Sequence, residues 1–214
     1  MTAAAPAVLA VDGALWALAK PSGLVVHRTN DPDRDDLLSW CVREAGAPTS
    51  LCAVHRLDAE TSGVVLCAAD ARLAAELGAL FAAHAVRKTY LALVVGRPHQ
   101  RGTIDRALPD ARRGEALPAV TRYATEERLG GFTLLRVEPE TGRKHQIRRH
   151  LHGVGHPLVG DTRYRPRRFR PVPGFPGRLW LHALRVALPD GRAFEAPLPG
   201  ELAAHLAVLR GGAG

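Results

Sequence analysis

Val54 to Gly63 reads VHRLDAETSG and sets one acid, Asp58, two residues after an arginine and just ahead of a small polar turn. A carboxylate placed there has three uses. It can close an Asx-type turn, which the following Thr61-Ser62-Gly63 favours, it can ligate a metal, or it can act as a nucleophile. Far downstream, Gly142 to Gly153 reads GRKHQIRRHLHG, where Arg143 and Ile147 stand four residues apart and would share one face of a basic helix. A guanidinium beside an aliphatic side chain suits a pocket that holds both a carboxylate and a flat ring. The plainer alternative is a solvated helix that Ile147 anchors to the core. His145, His150, His152 and His156 are dense enough to raise metal binding, yet Lys144, Arg148 and Arg149 crowd the same turns and disfavour a divalent cation. No metal is therefore expected. The sequence also has no GxxxxGK[ST] loop, no GxGxxG after a strand and no HExxH, so a reaction here is expected to run without nucleotide, redox cofactor or zinc.

Composition narrows the setting. The 214 residues, 46% hydrophobic and 23% charged, suit one globular domain with a sizeable core, so a single domain over 1–214 is expected. The net charge of +8 points to a polyanionic partner, although lysine supplies only Lys20, Lys88 and Lys144. An arginine-rich, alanine-rich chain can also reflect a biased genome. Cys41, Cys52 and Cys67 show no CxxC spacing and cannot all pair, which suggests a reducing compartment. The apolar opening lacks a basic segment before it and reads as a first strand rather than a signal peptide. No apolar run approaches the ~20 residues of a membrane span. A cytoplasmic monomer is expected.

The elements that must hold these residues follow from pattern. Val8–Val11 and Ala14–Leu18 read as a hairpin closed by Asp12-Gly13, and Lys20-Pro21-Ser22-Gly23 as the turn that ends it. The polar loop Thr29 to Asp36 brings acids to the start of a short helix carrying Leu38, Cys41 and Val42. Val64–Cys67 reads as a buried strand, and Asp70 as the cap of a helix whose Leu73, Leu77, Leu80 and Phe81 share a face. Strands are expected at Arg87–Gly96, Gly131–Pro139 and Leu179–Leu188, and a helix at Gly142–Gly153. Arg163 to Arg178 reads as a mobile loop. Hairpins without a regular βαβ repeat indicate an α+β class with a mixed, mainly antiparallel sheet and flanking helices.

Taken together, these motifs resemble the RluA-type pseudouridine synthases. HRLDAETSG looks like the signature of that family, in which the aspartate of HRLD is catalytic. KPSGLVVH (Lys20 to His27), KTY (Lys88 to Tyr90), PAVTRY (Pro118 to Tyr123), ETGRKHQIRRHL (Glu140 to Leu151) and GHPLVGD (Gly155 to Asp161) follow in the family's order and spacing. Within the family the chain is most similar to the tRNA pseudouridine synthase C subgroup. With a first strand that starts by residue 8, the N-terminal S4-like domain of many ribosomal-RNA members is not expected. Carried over, the resemblance implies Asp58 as the catalytic residue and Arg143 as the charge partner that holds it. It implies Tyr90 as the ring packed on uracil, Ile147 as pocket wall, and Arg56 as the side chain that replaces or holds the flipped base.

The chemistry suits those roles. Isomerisation of uridine breaks C1′–N1, turns the uracil and joins C1′ to C5, with no atom gained or lost, so the resemblance implies no cofactor. A carboxylate in a dry site needs a cation to keep it ionised, and a guanidinium also fixes its geometry. The base must leave its stack to enter the pocket, a task suited to an arginine and an aromatic face. RNA is the implied partner, with tRNA ahead of ribosomal RNA. A non-catalytic RNA-binding module and a metal-dependent hydrolase are the readings from other classes.

Overall fold

The computed structural model describes residues 5–28, 31, 34–110, 114–165 and 172–212. In chain order it has β1 (Ala7–Asp12), β2 (Leu15–Lys20), α1 (Leu37–Glu44), β3 (Cys52–Ala53), β4 (Ser62–Ala68) and α2 (Ala71–Ala82). There follow β5 (Arg87–Val95), β6 (Arg101–Asp105), β7 (Leu108–Asp110), β8 (Glu115–Leu117), β9 (Val120–Leu129), β10 (Phe132–Pro139) and α3 (Gln146–Gly153). The chain ends with β11 (Leu181–Ala187), β12 (Ala193–Glu195) and α4 (Gly200–Gly211). These elements form two compact units, Met1–Arg87 with Ala183–Pro197 and Lys88–His182 with Leu198–Gly214. The expected α+β class holds. No described helix is long and apolar enough to cross a membrane.

In the first unit β2 pairs antiparallel with both β1 and β4, β3 adds to β4, and β12 pairs with β11. The hairpin is closed one residue later than Asp12-Gly13 suggests. Asp12 pairs with Leu15, so Gly13 and Ala14 are the central residues, and Gly13 takes the positive φ of +57° that such a tight turn demands at its first position. Every residue of β4 is buried, which explains its unbroken apolar run. Leu15, Val64, Leu66, Leu77 and Val186 form the core, with Leu73, Leu80 and Phe81 of α2 packed against it, the helix face expected from spacing. Asp70 caps α2 by accepting from the Leu73 amide at 2.8 Å, and Asp36 caps α1 by accepting from the Ser39 amide at 3.0 Å. Part of the acidic loop before α1 (Thr29, Asn30, Pro32 and Asp33) lies outside the described residues.

The second unit holds antiparallel strands in the order β5-β10-β9-β6, with β7 and β8 as a separate hairpin. The two-residue period of β5 feeds two cores. Ala92 and Val94 join Leu135, Val137, Ile147 and Leu151. Leu91, Leu93 and Val95 point the other way, to Leu134, Trp180, Leu202, Leu206 and Leu209. Each fully buried leucine here contributes about 1.5–3 kcal/mol by leaving water. One core thus fixes α3 to the sheet and the other fixes α4.

Candidate active site

Asp58 lies in the loop between β3 and β4, half-buried, behind the buried anchor Leu57. Its carbonyl accepts from the Thr61 amide at 3.0 Å, so the segment does turn at Asp58 as its composition suggests. The turn is then held from outside. The Ala59 carbonyl accepts from the Gly23 amide at 2.7 Å and from Lys20 Nζ at 3.0 Å, and the Glu60 carbonyl accepts from Ser22 Oγ at 2.7 Å. Lys20 is only 1% exposed and also donates to the carbonyls of Pro21 at 2.8 Å and Leu24 at 2.7 Å. Three neutral dipoles around one ammonium make that burial tolerable. KPSG is therefore more than the end of a hairpin: it is the brace of the Asp58 loop.

A second brace is His55, whose Nε2 accepts from the Leu66 amide at 2.9 Å and whose ring stacks on Phe81 at 4.5 Å. The motif closes on Gly63, where φ is +125° and a β-carbon would sit 2.1 Å from the Ala183 carbonyl oxygen. Only glycine permits that approach of β4 to β11. Arg56 projects from the same loop and is exposed.

The other sequence-predicted residues stand in the second unit. Tyr90, paired with Val137 across β5 and β10, packs half-buried on the cluster that contains Ile147, so the structure brings these two together. Arg143 departs from expectation. The helix begins at Gln146, not Gly142, because His145 takes a left-handed conformation (φ +54°) and breaks the helical run. Arg143 and Lys144 precede the helix, and the expected shared helix face with Ile147 does not exist. Arg143 instead donates from Nε to the Pro118 carbonyl at 3.1 Å.

Gln146 organises this segment, and nothing in its spacing announced it. Its Oε1 accepts from Thr141 Oγ1 at 2.7 Å and from the Arg143 amide at 3.0 Å, while Nε2 donates to the Val120 carbonyl at 2.9 Å and Thr121 Oγ1 at 3.0 Å. Both lone pairs and both amide protons are used. Thr121 in turn lies 2.9 Å from His150 Nδ1, and His150 Nε2 lies 2.9 Å from the Arg106 carbonyl. Only a protonated Nε2 can donate to that carbonyl, so Nδ1 accepts. Burial, partly offset by that bond, holds His150 below the usual imidazole range. Lys88, bonded to the Thr141 carbonyl at 3.3 Å, is likewise pushed down by burial.

The basic stretch is not uniformly solvent-facing. Arg148 is 1% exposed and grips Asp161 with two bonds, Nε to Oδ2 at 2.8 Å and Nη2 to Oδ1 at 2.9 Å. Burial pushes Asp161 up, but the Arg148 bonds and the amides of Tyr164 and Arg163 outweigh it and hold the carboxyl below its ordinary value. Arg148 is thus committed to Asp161 rather than to solvent. The segment expected to be mobile is described only at its flanks. Arg163 and Tyr164 are held to Asp161, and Arg178 pairs with Glu201 at 2.9 Å. Arg167 and Arg168, in the middle of that segment, lie outside the described residues.

The profile described as RNA pseudouridylate synthase matches residues 14–153, a stretch that contains Lys20, the Asp58 loop, Tyr90, Arg143 and Ile147. The chain is 34% identical to "Ribosomal large subunit pseudouridine synthase D" of Nitrosomonas europaea, over 95% of this chain and 65% of that protein. It is 33% identical to "tRNA pseudouridine synthase C" of Haemophilus ducreyi, over 82% of each. The chain therefore spans just under two thirds of the first of these relatives. Among solved structures it is similar to human RNA pseudouridylate synthase domain containing 4, with a TM-score of 0.79 and 28% identity over 95% of this chain and 92% of that one.

Proposed function

Because this chain belongs to the RNA pseudouridylate synthase family, we propose that it isomerises uridine to pseudouridine in RNA, with Asp58 as the catalytic carboxylate. The observation that carries the proposal is the match over 14–153, a span that contains Arg56, Asp58, Tyr90, Arg143 and Ile147. The C1′–N1 bond breaks, the uracil rotates, and C1′ joins C5. N1 ends with a proton and C5 loses one. Asp58 serves as nucleophile or base in that exchange, on a loop braced by Lys20, Ser22 and His55. The family resemblance implies Arg143 as the guanidinium that keeps this carboxylate ionised, since a planar fork suits a carboxylate better than a point charge. Tyr90 offers the detached uracil a flat contact, Ile147 backs the wall, and Arg56 takes the place of the flipped base in its stack. The step supplies its own atoms and calls for no cofactor.

The substrate we propose is tRNA, at a uridine of the T-stem region. The relative with balanced coverage, 82% of both chains, is named a tRNA enzyme. A ribosomal-RNA substrate is the second reading, favoured by the Nitrosomonas relative. The test is pseudouridine mapping on unmodified tRNA transcripts and ribosomal-RNA fragments with the native protein and Asp58→Asn. The native protein should modify tRNA and the variant nothing. Product from the variant would refute Asp58, and equal product on ribosomal fragments would refute tRNA.

A further inference from the structure

The second unit carries an open groove of about 400 Å³ between the far side of α3 and the β7–β8 hairpin, which the proposed chemistry does not use. Its floor is apolar, built from Ile104, Leu108 and Val154, and Val154 is 46% exposed. Its rim carries Arg106, Arg149, His152 and Tyr164, and among the described residues that line it none is a carboxylate. Two features make the rim a prepared surface. Arg149 spans from α3 to the hairpin, donating from Nη1 to the Pro109 carbonyl at 3.1 Å. Tyr164 is fixed by His145, whose Nδ1 lies 3.1 Å from its hydroxyl, and by the Arg148 guanidinium 5.4 Å from its ring centre. Side chains already ordered lose little freedom when a ligand arrives.

An apolar floor, an edge of aromatic rings and two guanidiniums match one class of ligand: an unstacked nucleotide with its phosphate. We propose that this groove binds a nucleotide of the substrate RNA away from the target uridine, with its base on Val154 and Leu108 and its phosphate at Arg106 and Arg149. This rests on the RNA-modifying reading above. Ile104 belongs both to the groove and to the cluster under Tyr90 and Ile147, so an RNA held in one is registered against the same helix and strand as the other. The groove would then select RNAs by what flanks the target.

The test measures binding of a fluorescein-labelled, unmodified tRNA transcript by anisotropy, and pseudouridine formation on the same RNA. Arg106→Glu should raise Kd at least tenfold, with KM rising more than kcat falls. Val154→Glu, on an already exposed floor residue, should do the same without touching the rim. Arg72→Glu is the control, since it makes the same charge change on a side chain 90% exposed in the first unit, and it should leave Kd within twofold. If Arg106→Glu and Val154→Glu bind as the native protein does, the groove does not hold RNA and suits an acidic peptide instead. If Arg72→Glu weakens binding equally, the effect is bulk charge and the proposal falls. Native protein that binds tRNA through the groove but forms no pseudouridine would overturn the function and leave the groove standing.

Discussion

Lys20 in the first unit and Arg148 in the second are both cations at 1% exposure, but they are accommodated differently. Lys20 sits among the carbonyls of Pro21, Leu24 and Ala59, 2.7–3.0 Å away. Arg148 faces a full countercharge, Asp161, in a two-bond fork. The difference follows from the groups. An ammonium is a compact charge with three donors that can splay towards three separate carbonyls, whereas a guanidinium is planar and matches the two oxygens of one carboxylate. It also divides the labour. The carbonyls around Lys20 belong to two loops, so the lysine positions the loop that carries Asp58. The pair at Arg148, with the amides of Arg163 and Tyr164 on Asp161, folds the 161–164 segment onto α3.

Breaking the charged pair should have the largest effect. Arg148→Ala leaves Asp161 buried without its partner and should cost about 3–5 kcal/mol in urea denaturation. The double change Arg148→Met with Asp161→Leu should recover most of that loss, because no orphan charge remains. If the single variant costs less than about 1 kcal/mol, the pair does not hold this segment.

Lys20→Met should cost less, about 1–3 kcal/mol, because the carbonyls of Pro21, Leu24 and Ala59 that it leaves behind are neutral acceptors. Its effect on pseudouridine formation should exceed what the fall in Tm explains, since the Asp58 loop loses its brace. Turnover that falls only in step with the folded fraction would reduce Lys20 to a structural residue.

His150 and His205 sharpen the contrast, since burial favours their neutral form. His205 accepts from Trp180 Nε1 at 3.0 Å through Nδ1 and contacts the Pro173 carbonyl at 3.0 Å through Nε2. Burial, partly offset by that carbonyl, lowers its pKa, as burial does for His150. Above the ordinary value of about 6.5 neither state is protonated and this arrangement has no pH dependence. Below it the unfolded chain takes up protons that the folded one refuses, so stability falls as pH drops until the lowered folded-state values are passed. Asp161, held low, adds its own loss only below about pH 4, where the unfolded carboxylate begins to protonate. Urea midpoints at pH 7.5 and 5.5 check the histidine part, and an equal pair of midpoints would contradict it.

The smallest effect should come from an exposed ion pair. Arg72 and Glu76 lie 2.9 Å apart on α2 with side chains 90% and 57% exposed. Glu76→Gln should leave Tm unchanged within error, because solvent screens such a pair. A clear shift would mean that burial is not what separates Arg148 from the other arginines.

Much of the scaffold was legible because it repeats at short range. Leu73, Leu77, Leu80 and Phe81 mark α2 by helical spacing, and β4, β5, β10 and β11 show apolar or alternating runs. Elements with weak patterns escaped. The strands β6 to β8 are short and largely exposed, and α4 mixes alanines among Leu202, Leu206 and Leu209 so that no polar face stands out. The strand β9 was visible only as the motif PAVTRY.

The residues alone determined the α+β class, the two capped helices and, through five ordered motifs around VHRLDAETSG, the family. They did so because periodicity and local turn chemistry are properties of neighbours in the chain. Only the tertiary structure decided which charges are inside. Arg148 and Arg149 are adjacent and chemically identical, yet one is buried against Asp161, 13 residues away, and the other edges a groove. It also decided that Arg143 precedes α3, since His145 in a left-handed conformation and Gln146 with four partners set the helix start. Lys20, finally, became the brace of the Asp58 loop through a bond to Ala59, 39 residues on. Such choices depend on what folds against a side chain from elsewhere, and the local pattern contains no term for that.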